Sequence, residues 1–174
     1  MAQRLLTIAA TAIGVSTEQL PPLFDPATVW LRLLHYPPSP PHSPDDLYGS
    51  APHTDFGALT LLAQDDVGGL QVLAPDGKWL NVPTIPGALV VNVGDMLQRL
   101  SNGILKSTPH RVINTSGKER YSCVFFYDPY VDNSIEPLPQ CIISNPPAQF
   151  DSLHYGEFLR TELQAAYVQH QPQD

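Results

Sequence analysis

The chain has 174 residues, 43% of them hydrophobic, with 19 prolines, two cysteines and a formal net charge of -8. That length and composition suit a single domain with a real core. An acidic chain with no block of Lys or Arg argues against nucleic acid or anionic lipid as a partner, and no run is long enough to span a membrane. Two cysteines do not make a disulfide framework, and Cys123, inside an apolar run, reads as a buried reduced thiol.

Residues 2–13 are rich in Ala and Leu and predict a helix ended by Gly14. Arg4 followed by the apolar run to Ile13 also has the look of a weak signal peptide. With no small-residue cleavage site leading into a mature start, the helix is the reading kept, and a cytoplasmic location is the expectation. Ser16 with Gln19 three residues on fits a second helix start, stopped by Pro21-Pro22. From Thr28 to Tyr36 the chain turns β-branched, aromatic and apolar, which predicts a strand. The proline run 37–44 predicts a long rigid loop rather than disorder. Short strands are then expected at 57–63, 69–73 and 78–82, the last two joined by a tight Asp76-Gly77 hairpin. Further strands are expected at 88–93, 110–114 and 120–127, with a helical turn or two at 96–100 and a turn at Asn102-Gly103. Many short strands with turn chemistry between them point to an all-β sandwich or barrel. Apolar residues near helical period from Tyr155 to Val168, Tyr167 among them, predict a final helix packed outside the β core.

Within this frame His53-Thr54-Asp55 stands out. On an extended strand a His and an Asp two apart point to one side, and His110 from a later strand could join them. Two imidazoles and one carboxylate with positions left open is the ligand set of non-heme Fe(II) oxygenases. His-x-Asp alone is a weak pattern, and a solvated strand end is its commoner meaning. Arg120 and Ser122 share a strand face one strand after His110; such a pair can be an edge charge and its neighbour, or a grip for a carboxylate. Tyr36 ends its strand as either a core aromatic or a phenol donor. Leu61, Val112, Val124 and Phe126 are expected as apolar walls that keep water out. His35, His42, His154 and His170 receive no role.

Taken together, these segments resemble the iron(II)/2-oxoglutarate-dependent oxygenases of the isopenicillin N synthase-like group. The resemblance runs from about Trp30 to Pro129. It is carried by Leu31-Arg32-Leu33-Leu34-His35-Tyr36-Pro37-Pro38, His53-Thr54-Asp55-Phe56-Gly57-Ala58-Leu59-Thr60-Leu61-Leu62 and Gly68-Gly69-Leu70-Gln71-Val72. Gly94-Asp95, Ser101-Asn102-Gly103, Ser107-Thr108-Pro109-His110-Arg111-Val112 and Arg120-Tyr121-Ser122 complete it. The resemblance implies a mainly β fold, a distorted jelly roll (double-stranded β-helix) with flanking N- and C-terminal helices. The organisation it implies is a helical lead-in over 1–24, a catalytic core over 25–131 and a C-terminal extension with a helix over 132–174. It further implies that His53, Asp55 and His110 ligate Fe(II). Arg120 and Ser122 would hold the distal carboxylate of 2-oxoglutarate, with Tyr36 assisting. O2 would be activated at the metal, a small-molecule organic substrate hydroxylated, desaturated or cyclised, and succinate and CO2 released. Two alternatives stand beside this: an oxidase of the same group that uses no 2-oxoglutarate, and a metal-binding but inactive fragment or interaction module. Two departures from the family's pattern bear on them. Leu34 stands where many members have Asn, and relatives carry a substantial region ahead of the position of residue 1. The chain is therefore expected to be a truncation, a short member or part of a split protein, with a sheet edge left open.

Overall fold

The computed structural model describes residues 1–40, 42–44 and 47–169, so the readings at Pro41, at His170 and at the side chain of Tyr167 lie outside the described residues. Eight strands form two antiparallel four-stranded sheets, the jelly roll expected from the sequence. The first sheet contains β1 (Thr28–Tyr36), β3 (Leu59–Gln64), β6 (Val90–Val93) and β8 (Arg120–Asp128), in the order β1-β8-β3-β6. The second contains β2 (Ser50–His53), β4 (Leu70–Leu73), β5 (Trp79–Asn81) and β7 (His110–Val112), in the order β2-β7-β4-β5. A small ribbon pairs β9 (Ser134–Ile135) with β10 (Leu153–His154).

Strand alternation divides the residues of the first sheet between two environments. One row of β3, Leu59 and Leu61, is buried with Leu6, Ala10 and Ile13 of the N-terminal segment, Tyr127 of β8, and Met96, Leu97 and Leu100. The last three lie on α2 (Asp95–Leu100), and Leu6 and Ala10 lie one helical turn apart on α1 (Ala2–Ala12). Phe24 stacks on Tyr127 with ring centroids 5.3 Å apart. The other row faces the second sheet, where Tyr36, Leu70 and Val112 are buried with Leu34, Leu62, Val82 and Val90 around them.

Several expectations need correction. Leu61 belongs to the α1 side and is no wall of the site. The signal at Ser16 forms its capping contacts, Ser16 N–H donating to Gln19 Oε1 and Glu18 N–H to Ser16 Oγ, yet no α-helix follows. Pro21 and Pro22 carry no N–H and start a short 3-10 turn at Pro21–Phe24 instead. Strand β2 and helix α3 (Pro139–Ser144) went unforeseen, each too short to show a period. The final helix, α4 (Tyr155–Gln169), does more than pack outside: its inner face closes one side of a cavity in the β core. Strand β1 forms a sheet edge, and Leu31 and Leu33 on its outer row are 64% and 78% exposed.

Two close approaches join the sheets to α2. A Cβ at Gly57 would fall 1.6 Å from Asp128 Oδ1, and one at Gly94 would fall 2.4 Å from the Gly57 carbonyl, so neither position admits a side chain. The space at Gly57 lets Asp128, the last residue of β8, accept a hydrogen bond from Ala58 N–H at 2.9 Å. The Gly94 contact lets the N–H groups of Gly94, Asp95 and Met96 donate to the carbonyls of Ala58, Asp55 and Gly57. The 55–58 segment is thereby fastened from both sides.

Leu6 is 1% exposed at the centre of the larger core, so Leu6→Ala is expected to cost roughly 2–5 kcal/mol in urea unfolding. Leu31→Ser, at an exposed site, is expected to change the urea midpoint little; a comparable loss would contradict this division of core and surface. Burial pushes the Asp128 carboxyl up to about 6, with the Ala58 hydrogen bond opposing the rise and Asp55 adding to it. The folded state therefore holds this proton more tightly than the unfolded chain. The stabilisation is full below the ordinary carboxyl value of 3.8 and is lost as pH rises through about 6. In the metal-free protein, Asp128→Asn is expected to gain stability at pH 7.5 relative to pH 4.5 by on the order of 2 kcal/mol. Equal effects at the two pH values would show that the carboxyl is not raised.

Candidate metal centre

His53 is the last residue of β2, and Asp55 sits in the turn that follows, ahead of β3. The expectation of both on one strand face is corrected accordingly: the pair spans a strand end and a fastened turn. His110 opens β7, the strand paired with β2, and lies directly across from His53 in the register. The two imidazole centroids are 4.3 Å apart and tilted by 53°. His53 Nε2 is 3.9 Å and His110 Nε2 is 3.6 Å from Asp55 Oδ1. One donor atom from each of the three residues lies within 4.8 Å of the others. Among the described residues this is the one such group of His, Cys, Asp and Glu.

The surrounding hydrogen bonds fix which atoms face inward. His53 Nδ1 lies 2.7 Å from the Ala51 carbonyl and His110 Nδ1 lies 3.1 Å from that of Thr108. A carbonyl only accepts, so each Nδ1 carries the proton and each Nε2 lone pair is free to face the centre. Burial, then the neighbouring His110, push the His53 pKa below its ordinary value, with a last contribution from Arg32; the Ala51 carbonyl and Asp55 oppose the shift. A neutral imidazole is the form that can ligate a metal. Asp55 is buried, and its Oδ2 accepts from Thr60 Oγ1 at 2.6 Å and from Asn92 Nδ2 at 2.7 Å. Only Oδ1 remains turned to the imidazoles. Thr54 Oγ1 donates to Asp95 Oδ2 at 3.1 Å, so Asp95 anchors the turn by both backbone and side chain.

Thr60 and Asn92 were not foreseen as site residues. Their signal was present: each is a polar residue on the inward row of an otherwise apolar strand, and the two are directly paired in register. A donor buried among apolar neighbours needs an acceptor.

The other three expected residues meet deeper between the sheets. Tyr36 and Arg120 pair in register, as do Leu34 and Ser122, so Leu34 contributes only an apolar surface beside the Ser122 hydroxyl. Arg120 is 0% exposed and its guanidinium lies 4.7 Å over the Tyr36 ring. Its Nε donates to the Gly68 carbonyl and its Nη2 to Gln64 Oε1 at 3.2 Å. Arg120 Nη1 and Ser122 Oγ are buried with no partner. No carboxylate among the described residues lies within ion-pair distance of Arg120. A buried cation held only by neutral acceptors lacks the countercharge that would offset its desolvation, and a carboxylate ligand fits that lack.

Beside the triad lies a cavity of about 500 Å³. His53 and Asp55 form its floor, β1 and β8 supply Trp30, Arg32 and Phe126, and α4 supplies Leu159 and Leu163. Phe56 at the turn meets Phe158 of α4 edge to face. The arrangement combines a three-donor centre, a buried arginine with no countercharge among the described residues and a mostly apolar chamber.

Comparison with known proteins agrees with this geometry. A sequence model of the 2OG-Fe(II) oxygenase superfamily matches residues 28–129. The 2-oxoglutarate-Fe(II) type oxidoreductase hxnY of Emericella nidulans is 39% identical over 169 residues, covering 96% of this chain and 48% of that protein. The solved structure of full-length Neurospora crassa T7H in complex with alpha-KG and thymine superimposes with a TM-score of 0.86 at 31% identity, covering 95% of this chain and 54% of that one. JOX2 in complex with 2OG, Fe and JA superimposes with a TM-score of 0.84 at 35% identity, covering 92% of this chain and 47% of that one. The chain spans about half the length of the curated relatives it matches. With the family model covering more than half of its residues, and with the triad of two histidines and one aspartate drawn together between its sheets, this chain belongs to the 2OG-Fe(II) oxygenase superfamily.

Proposed function

We propose that this chain is the catalytic core of an Fe(II)- and 2-oxoglutarate-dependent oxygenase that oxidises a small organic molecule. The observation that carries the reading is the pairing of the His53–Asp55–His110 group with a buried, countercharge-free Arg120 between the same two sheets. His53 Nε2, Asp55 Oδ1 and His110 Nε2 hold the iron, and Thr60 and Asn92 keep Asp55 Oδ2 turned away from it. Arg120 Nη1 and Ser122 Oγ, both without partners, receive the distal carboxylate of the co-substrate. Tyr36 supports the guanidinium from below through its ring. Iron with 2-oxoglutarate and O2 supplies an oxidant for a substrate C–H bond, with succinate and CO2 as co-products. Val112, Val124 and the inner face of α4 limit water around the donors.

A small-molecule substrate is supported by the cavity's size and by the thymine and JA held by the two structural neighbours. The same reading divides the chain into a lead-in over 1–24, a core over 25–131 and an extension over 132–174, a division supported by the family match over 28–129. A cytoplasmic location is supported by the free thiols of Cys123 and Cys141. Among the described residues no helix is long and apolar enough to cross a membrane.

Anaerobic addition of Fe(II) and 2-oxoglutarate is expected to give a visible charge-transfer band, and aerobic incubation to give succinate. Iron binding without either would favour the oxidase or inactive alternatives. His53→Ala and His110→Ala are expected to lose iron in equilibrium dialysis while keeping the wild-type circular dichroism. Arg120→Met is expected to weaken 2-oxoglutarate far more than Fe(II), and equal co-substrate affinity would remove the clamp. Thr60→Val and Asn92→Leu are expected to weaken Fe(II) binding roughly 10–100-fold without displacing a ligand. Unchanged affinity would deny them an orienting role.

A further inference from the structure

One row of side chains on β3 serves both ends of the interior. Thr60, Leu62 and Gln64 lie opposite Phe126, Val124 and Ser122 of β8. Thr60 donates to Asp55 and so belongs to the metal centre. Gln64, at the far end of the row, reaches Arg120, its Oε1 accepting from Nη2 at 3.2 Å. An arginine only donates, so the carbonyl end of this carboxamide is the end that faces it.

Every acceptor that the protein gives Arg120 is neutral. Nε donates to the Gly68 carbonyl, Nη2 donates to Gln64, and the guanidinium lies over the Tyr36 ring. Acids stand close by in the chain, since Asp65 and Asp66 follow Gln64 directly. Asp65, however, turns both oxygens to backbone donors, Oδ1 to Val67 N–H and Oδ2 to Tyr121 N–H. Among the described residues no carboxylate lies within ion-pair distance of Arg120. A carboxylate in place of the Gln64 amide would accept the same hydrogen bond and neutralise the guanidinium. An incoming anion would then meet a pair with no net charge. The carboxamide instead fixes Nη2 and leaves the charge uncompensated, with Nη1 and Ser122 Oγ open.

We propose that Gln64 is a positioning residue of the co-substrate clamp. It holds the Arg120 guanidinium through Nη2 while keeping its charge for the distal carboxylate. It thereby sets the preference for a 2-oxo acid with a second carboxylate over one without. The proposal rests on the oxygenase reading, in which Arg120 and Ser122 receive that carboxylate. Gln64 acts through Arg120 and takes no part in the reaction itself.

The test compares 2-oxoglutarate with 2-oxopentanoate, which has the same chain length and a methyl group in place of the distal carboxylate. Affinities are measured by anaerobic titration of the full chain with Fe(II) present. Gln64→Glu keeps the shape and the hydrogen bond, and is expected to weaken 2-oxoglutarate roughly tenfold or more. Fe(II) and 2-oxopentanoate are expected to bind it as they bind the wild type. Gln64→Met loses the hold and keeps the charge, so it is expected to weaken 2-oxoglutarate by less than Gln64→Glu does, again without touching 2-oxopentanoate. Unchanged 2-oxoglutarate affinity in either variant overturns the proposal. So does an equal loss for the two 2-oxo acids, which is what a purely structural role gives, and so does a larger loss in Gln64→Met than in Gln64→Glu. Should Gln64→Glu fail to fold, the comparison of Gln64→Met with the wild type decides on the same criteria. If the wild type gives no charge-transfer band with either 2-oxo acid, the oxygenase reading fails separately, and glutarate is titrated by calorimetry into the metal-free protein. Glutarate binding that is lost in Arg120→Met and weakened by Gln64→Glu then supports the role of Gln64. Glutarate binding indifferent to Gln64→Glu, or no binding at all, overturns it.

Discussion

Asp55 is the point at which the two sheets are tied together. One carboxylate oxygen takes hydrogen bonds from Thr60 on β3 and Asn92 on β6, both in the first sheet. The other faces imidazoles mounted on β2 and β7 of the second sheet. Neither sheet could shift against the other without moving a donor of the centre. The turn that carries Asp55 is in turn fixed by α2 from one side and by Asp128 from the other, through contacts that only glycine permits at positions 57 and 94. Stability and site geometry therefore share the same few interactions.

Electrostatics explains the division of the interior. Polar groups between the sheets occur where a partner exists or where a ligand would supply one. Asp55 and Asn92 satisfy each other, and Gln64 and the Gly68 carbonyl hold two donors of Arg120. What is left over is Arg120 Nη1 and Ser122 Oγ, the two buried donors that the co-substrate carboxylate of the proposed function would satisfy.

Much of this was legible in the residues. Strand alternation put Arg120 and Ser122 on one face, and the ends of β1 and the start of β8 fell where the sequence placed them. The grouping of His53, Asp55 and His110 rested on a weak local pattern that gained force only from the order of the surrounding motifs. What escaped was tertiary. Nothing local says that Leu61 turns toward α1, because leucine stands on both rows of β3, Leu59 and Leu61 on one and Leu62 on the other, and only the packing of a distant helix assigns them. Thr60 and Asn92 each look like one polar residue in a strand until the register brings them together. The turn holding Asp55 hides for the same reason, since its fastening comes from residues about forty positions away. Helix α4 showed its period in the sequence, while the chamber it closes depends on how the chain returns across the sheets.

The central claim, that these three side chains hold iron through the atoms now facing one another, is tested most directly by anomalous diffraction at the iron edge. Crystals would be grown anaerobically with Fe(II) and 2-oxoglutarate. The account predicts one strong peak within bonding distance of His53 Nε2, Asp55 Oδ1 and His110 Nε2, with Asp55 Oδ2 still hydrogen-bonded to Thr60 and Asn92. A peak elsewhere, or iron bound through Asp55 Oδ2 with those hydrogen bonds broken, would contradict it.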